Sequence, residues 1–408
     1  MVWYGAKMFF RRTALTGLLL LSACGGGKQP NRSEFGAAAL AALLPRGIAL
    51  DSSDAVLKTP KVVAITYDAD PFRADLEAFV AQYAASTAWG QHTTEYGVGP
   101  LVVRPPQHLT DDPPAAIDDT GITDLLDANL GGASPAWGAP DPDTIYTLFF
   151  PAGTIVDDGT GSTSCDGWDG YHSDYTVDGV TVPYAVVVAC PGFDGPGFTE
   201  LDQITVVASH ELVEAATDPF DDPSGYAEVD AAHAVFTVIT GGELADLCSE
   251  GSDYGWTPSD MTYKVQRSWS NAAAAAGHDP CVGNAAKVYA QTIPDQPDAL
   301  TVLDWTTRCA RLSLGQTRTV RLTVYSDDPT SGPYLVEVED YAASNGDAPL
   351  LSLSLPTGRS LRVGDSIELG VKALGWDPEM QSAAAFVIKT RAASGSGPTT
   401  IFYGLVGE

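Results

Sequence analysis

Apolar residues fall along this chain in three textures, and each predicts a different kind of element. Lys61-Val-Val-Ala-Ile-Thr-Tyr67, Thr144–Phe150 and 184–190 are nearly unbroken β-rich runs. Such runs are expected of strands covered on both faces. Helical spacing is the second texture. Leu76, Phe79, Val80 and Tyr83 form one stripe after Asp70-Pro71, which opens a helix. Residues 122–130 predict a short helix closed by Gly131-Gly132. Residues 203–217 predict a helix apolar on nearly every side, ended by Asp218-Pro219. Residues 105–114 read as loop, and the Gly/Asp-rich excursion 157–180 is expected to be a loop open to function.

Beyond Pro294-Asp-Gln-Pro297, which reads as a linker, period two takes over. Apolar residues alternate at Val320, Leu322, Val324; 335–338; Leu351, Leu353, Leu355; Ile367, Leu369, Val371; 385–388; and 401–403. Six short strands with Gly/Asp/Pro turns predict an all-β immunoglobulin-like sandwich. It carries no catalytic constellation, so spacing, adhesion or support are its expected roles.

The N-terminus sets the compartment. Lys7, Arg11 and Arg12 precede the apolar run 14–21, which ends Leu21-Ser22-Ala23-Cys24-Gly25. This is the pattern of a lipoprotein signal peptide over residues 1–23, with Cys24 lipidated as the first mature residue. The run is too short for a bilayer, which takes roughly 20 residues. Gly25-Gly26-Gly27 opens a tether assigned to residues 24–57. The expected organisation is then a catalytic domain over 58–290 and the sandwich over 295–408. The expected place is a bacterial cell envelope, the membrane being reached through lipid on Cys24. Gly25, where Asp would signal retention, favours the outer membrane.

Five other cysteines fit an oxidising compartment. Nearness in sequence pairs Cys165 with Cys190 and Cys248 with Cys281, leaving Cys309 free. Fifty-two acidic residues against 22 basic ones give a formal charge of −30, with no basic patch to offset it. That excludes nucleic acid as a partner. Acidic pairs such as Asp111-Asp112, Asp157-Asp158 and Asp221-Asp222 read as solvated loops. Calcium in one of them is the lesser alternative, because none has EF-hand spacing.

The chemistry concentrates in Ser209-His-Glu-Leu-Val-Glu-Ala-Ala-Thr-Asp-Pro219. His210 and Glu214, four apart, project from one helix face. Glu211 stands where the zinc-hydrolase pattern His-Glu-x-x-His keeps its general base. A carboxylate replaces the second histidine, and carboxylate oxygen is an accepted zinc ligand. Buried charges on so apolar a helix want partners or a metal. The third ligand must come from outside it, and Gly241-Gly-Glu243-Leu-Ala-Asp246-Leu-Cys248 is the best source. In zinc hydrolases of the glutamate-zincin type a downstream Glu ligates and a following Asp orients a histidine. Glu243 and Asp246 could fill those roles, or the reverse. Asp218, one turn beyond Glu214, is a candidate orienting group. His172, His233 and His278 are further ligand candidates, although a hydrogen-bonded loop histidine is the better reading of each. Gly-x-Ser-x-Gly, Walker and dinucleotide patterns do not occur.

Three segments in order carry a resemblance: 209–219, Gly242-Glu-Leu-Ala-Asp-Leu-Cys248 and Val265-Gln-Arg-Ser-Trp-Ser-Asn271. With Cys165-x-x-Trp168-x-x-Tyr-His172-Ser and Tyr184-Ala-Val-Val-Val-Ala-Cys190, the chain resembles the Exordium-like (phosphate-induced) proteins and their bacterial relatives over roughly residues 60–285. The resemblance implies an extracytoplasmic protein with a zincin-like helix, and it implies no particular reaction. The fold expected is an α/β (α+β) zincin-like domain with a mixed sheet, followed by the sandwich. The function expected is zinc-dependent hydrolysis, with peptide or protein as substrate. The alternative is a non-catalytic surface binding or adhesion protein with a structural or vestigial metal.

Overall fold

A computed structural model describes residues 32–408 except 160, 194–196, 252, 284–287, 357, 359 and 396. The signal peptide, Cys24 and the first part of the tether lie outside the described residues. Within them the fold is mixed α/β with a majority of strand.

The apolar runs form the sheet that the sequence predicts. Strands β1 (Lys61–Tyr67), β2 (Val102–Val103), β3 (Gln107–Leu109), β4 (Thr144–Phe150), β5 (Gly170–Val177) and β6 (Val180–Val188) make one mixed sheet. Its order is β2-β1-β4-β6-β5, and β3 continues beside β1. β1, β4 and β6 are mutually parallel neighbours; β5 returns antiparallel from β6 and forms the edge. Helices α1 (Arg73–Ala85), α2 (Thr87–Thr93), α3 (Asp119–Leu130) and α4 (Glu200–Thr217) cover both faces. Val62, Ala64, Ala185 and Val187 pack against Leu76, Phe79, Tyr83 and the Ile204–Ala216 side of α4. Val63, Ile65, Tyr146 and Val186 pack on the other face against Ile122, Leu126 and Leu130. Alternate residues of one strand thus enter two cores, which is why the runs read as continuous rather than alternating.

Three boundaries differ from the sequence reading. The excursion 157–180 is not all loop: its second half is edge strand β5, paired with β6 from Gly170↔Val187 to Val177↔Val180. Residues 32–57, assigned to the tether, are not linker throughout. They hold a short helix, Ala37–Ala41, and a strand, Gly47–Ile48, and Leu40, Leu44, Val56 and Leu57 are buried. These residues were assigned to a linker because small alanines give no visible stripe. They nonetheless fill space beside the sandwich and the sheet. Finally, the sandwich starts at residue 290 rather than 295.

Its strands are β7 (Ala290–Pro294), β8 (Asp298–Val302), β9 (Trp305–Arg311), β10 (Thr317–Ser326), β11 (Tyr334–Asp340), β12 (Leu351–Ser354), β13 (Ser366–Ala373), β14 (Ala383–Ala392) and β15 (Thr399–Gly407). One sheet runs β7-β10-β13-β12, the other β8-β9-β15-β14-β11. All pairings are antiparallel except β9 with β15. The first three strands escape sequence reading because they offer few large inward residues. These are Ile293 in β7 and Leu300 and Val302 in β8, while β9 buries Thr307, Cys309 and Ala310. The sandwich core is shared: Leu40, Leu44, Val229, Phe236, Leu244 and Trp269 belong to the same apolar cluster as Leu322, Phe386 and Leu405. The sandwich therefore supports the loops that carry Glu243 and Asp246.

Candidate metal centre

Helix α4 begins at Glu200, three residues before the sequence suggests, because Thr199 and Asp202 form a reciprocal cap on its first turn. From Gln203 onward every residue of it is buried. His210, Glu211 and Glu214 face one cluster that also takes in Asp246, Glu243 and His172. Side-chain exposure falls from 11% at His210 and 8% at His172 to 0% at Glu214.

His210 Nε2 lies 2.9 Å from Glu214 Oε2, 3.4 Å from Asp246 Oδ1 and 3.9 Å from Glu211 Oε1. His172 enters from edge strand β5. Its Nδ1 is 3.6 Å from Glu211 Oε2 and 3.9 Å from Glu214 Oε2, and its Nε2 is 3.4 Å from Glu243 Oε1. Gly170, two residues before His172, lets the strand come this close. A Cβ there would stand 2.4 Å from Val207 and 2.7 Å from Glu211 Oε1.

Each histidine is held by one nitrogen and points the other inward. His210 Nδ1 is 3.0 Å from Gln266 Oε1, while the Gln266 amide nitrogen donates to Ala245 O. The glutamine oxygen is therefore the acceptor and His210 Nδ1 the donor. His172 Nε2 donates to the backbone carbonyl of Asp218. The inward atoms are then His210 Nε2 and His172 Nδ1, both turned toward carboxylates, the arrangement of a ligating histidine oriented from behind. Glu214 is fixed in the same way: its Oε1 accepts from Ala245 N and Asp246 N, which leaves Oε2 for the cluster.

Five buried atoms here have no hydrogen-bond partner among the described residues: His172 Nδ1, Glu211 Oε2, Glu214 Oε2, Glu243 Oε2 and Asp246 Oδ2. Glu214 Oε2 is short to His210 Nε2 yet does not meet it with hydrogen-bond geometry. Lone pairs that converge beside one another rather than on one another suit a cation between them. An orphaned buried polar group costs about 1–3 kcal/mol, more when charged, so five together need an explanation.

The electrostatics agree. Burial pushes Asp246 and Glu211 above the usual carboxylate range and Glu243 up to about 8. Burial alone would lower both histidines. The carboxylates around them outweigh it and hold His210 and His172 well above the ordinary value. Without a metal, only protons relieve the cluster; a divalent cation relieves it without them. A pH dependence follows. Every one of these groups is raised by folding, so its contribution is complete at low pH and is lost as pH climbs through the folded value. Chelated protein should therefore lose stability between about pH 4.5 and about pH 8, the window of Glu243. Metal-loaded protein should not. The gap in melting temperature between the two forms should widen with pH; a constant gap would mean these groups do not hold the ion.

The geometry divides the two downstream acids: Asp246 stands beside His210, and Glu243 stands beside His172. Asp218 contributes its carbonyl to His172, and its Oδ1 accepts from Ser224 Oγ and Gly225 N. His233 and His278 lie elsewhere, paired with Asp230 and Asp327. Sequence reasoning named His172 among the further ligand candidates but preferred to read it as a hydrogen-bonded loop histidine, and it gave Gln266 no role. Both belong to segments that carried the family resemblance, and that was the available signal. Cys165–Cys190 and Cys248–Cys281 are disulfides, and Cys309 is buried and unpaired.

No family model matches the chain, and no curated protein matches it. Among solved structures, a conjugative transposon lipoprotein from Bacteroides eggerthii aligns with 26% of this chain and 92% of its own length. The identity is 16% and the TM-score 0.16. A likeness that low carries no argument about fold, site or location. Among the described residues, no helix is long and apolar enough to cross a membrane.

Proposed function

We propose that this chain is an envelope-anchored, zincin-like metallohydrolase of the Exordium-like kind, with zinc as its ion and peptide bonds as its substrate. The supporting observation is the set of orphaned buried atoms on His172, Glu211, Glu214, Glu243 and Asp246. His210 Nε2, Glu214 Oε2 and Asp246 would hold the ion, their 2.9 and 3.4 Å spacings being those of neighbouring ligands on one metal. A bound zinc supplies polarisation of the scissile carbonyl and a water of lowered pKa. Glu211 would serve as the base, accepting a proton as water attacks and returning it to the leaving amine. Gln266 and the Asp218 carbonyl keep the histidines in register. In this reading lipid on Cys24 holds the protein to the membrane, with the outer membrane favoured. Calcium has no comparable support, since the acidic surface loops lack such orphaned atoms among the described residues.

The test is metal analysis of the purified full-length protein. After zinc loading and desalting, the wild type should retain stoichiometric metal. His210→Ala should lose the ion held with Glu214 and Asp246. A wild type that holds no metal would end the hydrolase reading. The full burial of Glu214 favours a second reading, a surface binding or adhesion protein with a structural ion. Retained metal with no cleavage of fluorophore-labelled denatured casein would select it.

A further inference from the structure

The cluster holds more ligand atoms than one ion can use. They fall into three groupings: His210, Glu214 and Asp246; His172, Glu211 and Glu214; and His172, Asp218 and Glu243. The two histidines share no grouping, and Glu214 is common to the first two. In the third, His172 Nε2 is held by the Asp218 carbonyl, and Asp218 Oδ1 by Ser224 Oγ and Gly225 N. Ligands of a single zinc, at about 2.0–2.2 Å from it, must all lie within about 4.4 Å of one another. Oε2 of Glu214 is the atom that faces both rings, 2.9 Å from His210 Nε2 and 3.9 Å from His172 Nδ1. Its other oxygen is tied by two backbone N–H groups. A single oxygen is thereby presented between two nitrogen donors.

We infer that the centre takes two divalent first-row metal ions bridged by Glu214, the second held by His172 Nδ1 and Glu211 Oε2. This deepens the hydrolase reading and rests on it for the first ion. Four observations point to the second position independently of the first. His172 is more than nine-tenths buried, its Nδ1 has no hydrogen-bond partner, and its Nε2 is already committed to the Asp218 carbonyl. Glu211 Oε2 is likewise orphaned and is the nearest carboxylate oxygen to Nδ1. Nitrogen with carboxylate oxygen suits zinc, manganese or iron(II), and paired ions of this kind sit about 3.5–4 Å apart. Glu211 would ligate through Oε2 and leave Oε1, on the side of His210, to accept a proton.

The decisive measurement is the metal-to-protein ratio of the full-length protein loaded with zinc, with manganese(II) loading followed by electron paramagnetic resonance. Two zinc ions per chain are expected, falling to one in His172→Ala, and manganese should give a spin-coupled spectrum. The spectrum is read on the wild type, so it decides even if His172→Ala does not fold. One zinc per chain with an uncoupled manganese signal would overturn the bridged pair and leave the single-ion hydrolase standing. No bound metal at all would overturn both.

Discussion

Replacing Glu211 with Gln should cut hydrolysis by about a hundredfold or more while the ion at His210 stays bound. The amide keeps the shape of the carboxylate and most of its polarity, but it cannot take a proton from water. Stability should not fall with activity. Glu211 is buried, and burial opposes its ionised form, so the neutral amide removes a cost of folding. Glu214→Gln should do the opposite. It keeps an oxygen for the backbone donors of Ala245 and Asp246 but weakens the ligand that faces His210, so metal should be lost first. Metal content and cleavage of denatured casein, measured on both variants, separate the roles. Loss of the ion at His210 in Glu211→Gln with its retention in Glu214→Gln would reverse the assignment of base and ligand.

How far the sequence carried this reading depends on how local each signal is. Lys61–Tyr67 and Thr144–Phe150 were legible to the residue because a strand buried on both faces writes an unbroken apolar run. The motif helix was legible because two carboxylates and a histidine on an otherwise apolar surface are conspicuous. His172 was not. It lies on an edge strand among half-buried Tyr171, Ser173 and Asp174, where neither face is apolar enough to reveal period two. Its place is set by pairing with Ala185, and no composition of residues 157–180 announces that partner. Gln266 was hidden for a similar reason. It orients His210 across 56 residues, and a glutamine amide has no sequence signature as an orienting group. The N-terminal stretch shows the converse: Ala-rich residues near 37–44 look like a linker, yet Leu40 and Leu44 join the sandwich core. Long-range contacts, rather than weak local propensity, account for most of what the sequence did not disclose.

Removing the Cys248–Cys281 disulfide should destabilise the protein by roughly 3–4 kcal/mol and weaken the metal centre as well. The first effect is chain entropy. The bond closes a loop of 33 residues, and reopening it returns that freedom to the unfolded chain. In a domain of this size that corresponds to a melting temperature lower by about 10 °C. The second effect comes from where the two cysteines sit. Cys248 ends the short 3-10 turn that starts at Asp246. Cys281 lies on a strand paired with Ser268–Trp269, just beyond the Gln266 that orients His210. The bond thus fastens the acid on one side of the centre to the support of the histidine on the other. Arg267, buried between Asp253 and Asp279 and bonded to the Cys281 carbonyl, braces the same junction. A Cys248→Ser, Cys281→Ser double variant should therefore bind zinc about tenfold more weakly or worse, since a loss of about 1.4 kcal/mol in placing Asp246 suffices. Thermal melts with and without chelator, together with zinc titration, read both effects. A variant that melts lower but binds zinc as tightly as the wild type would show that the disulfide holds the fold without positioning Asp246.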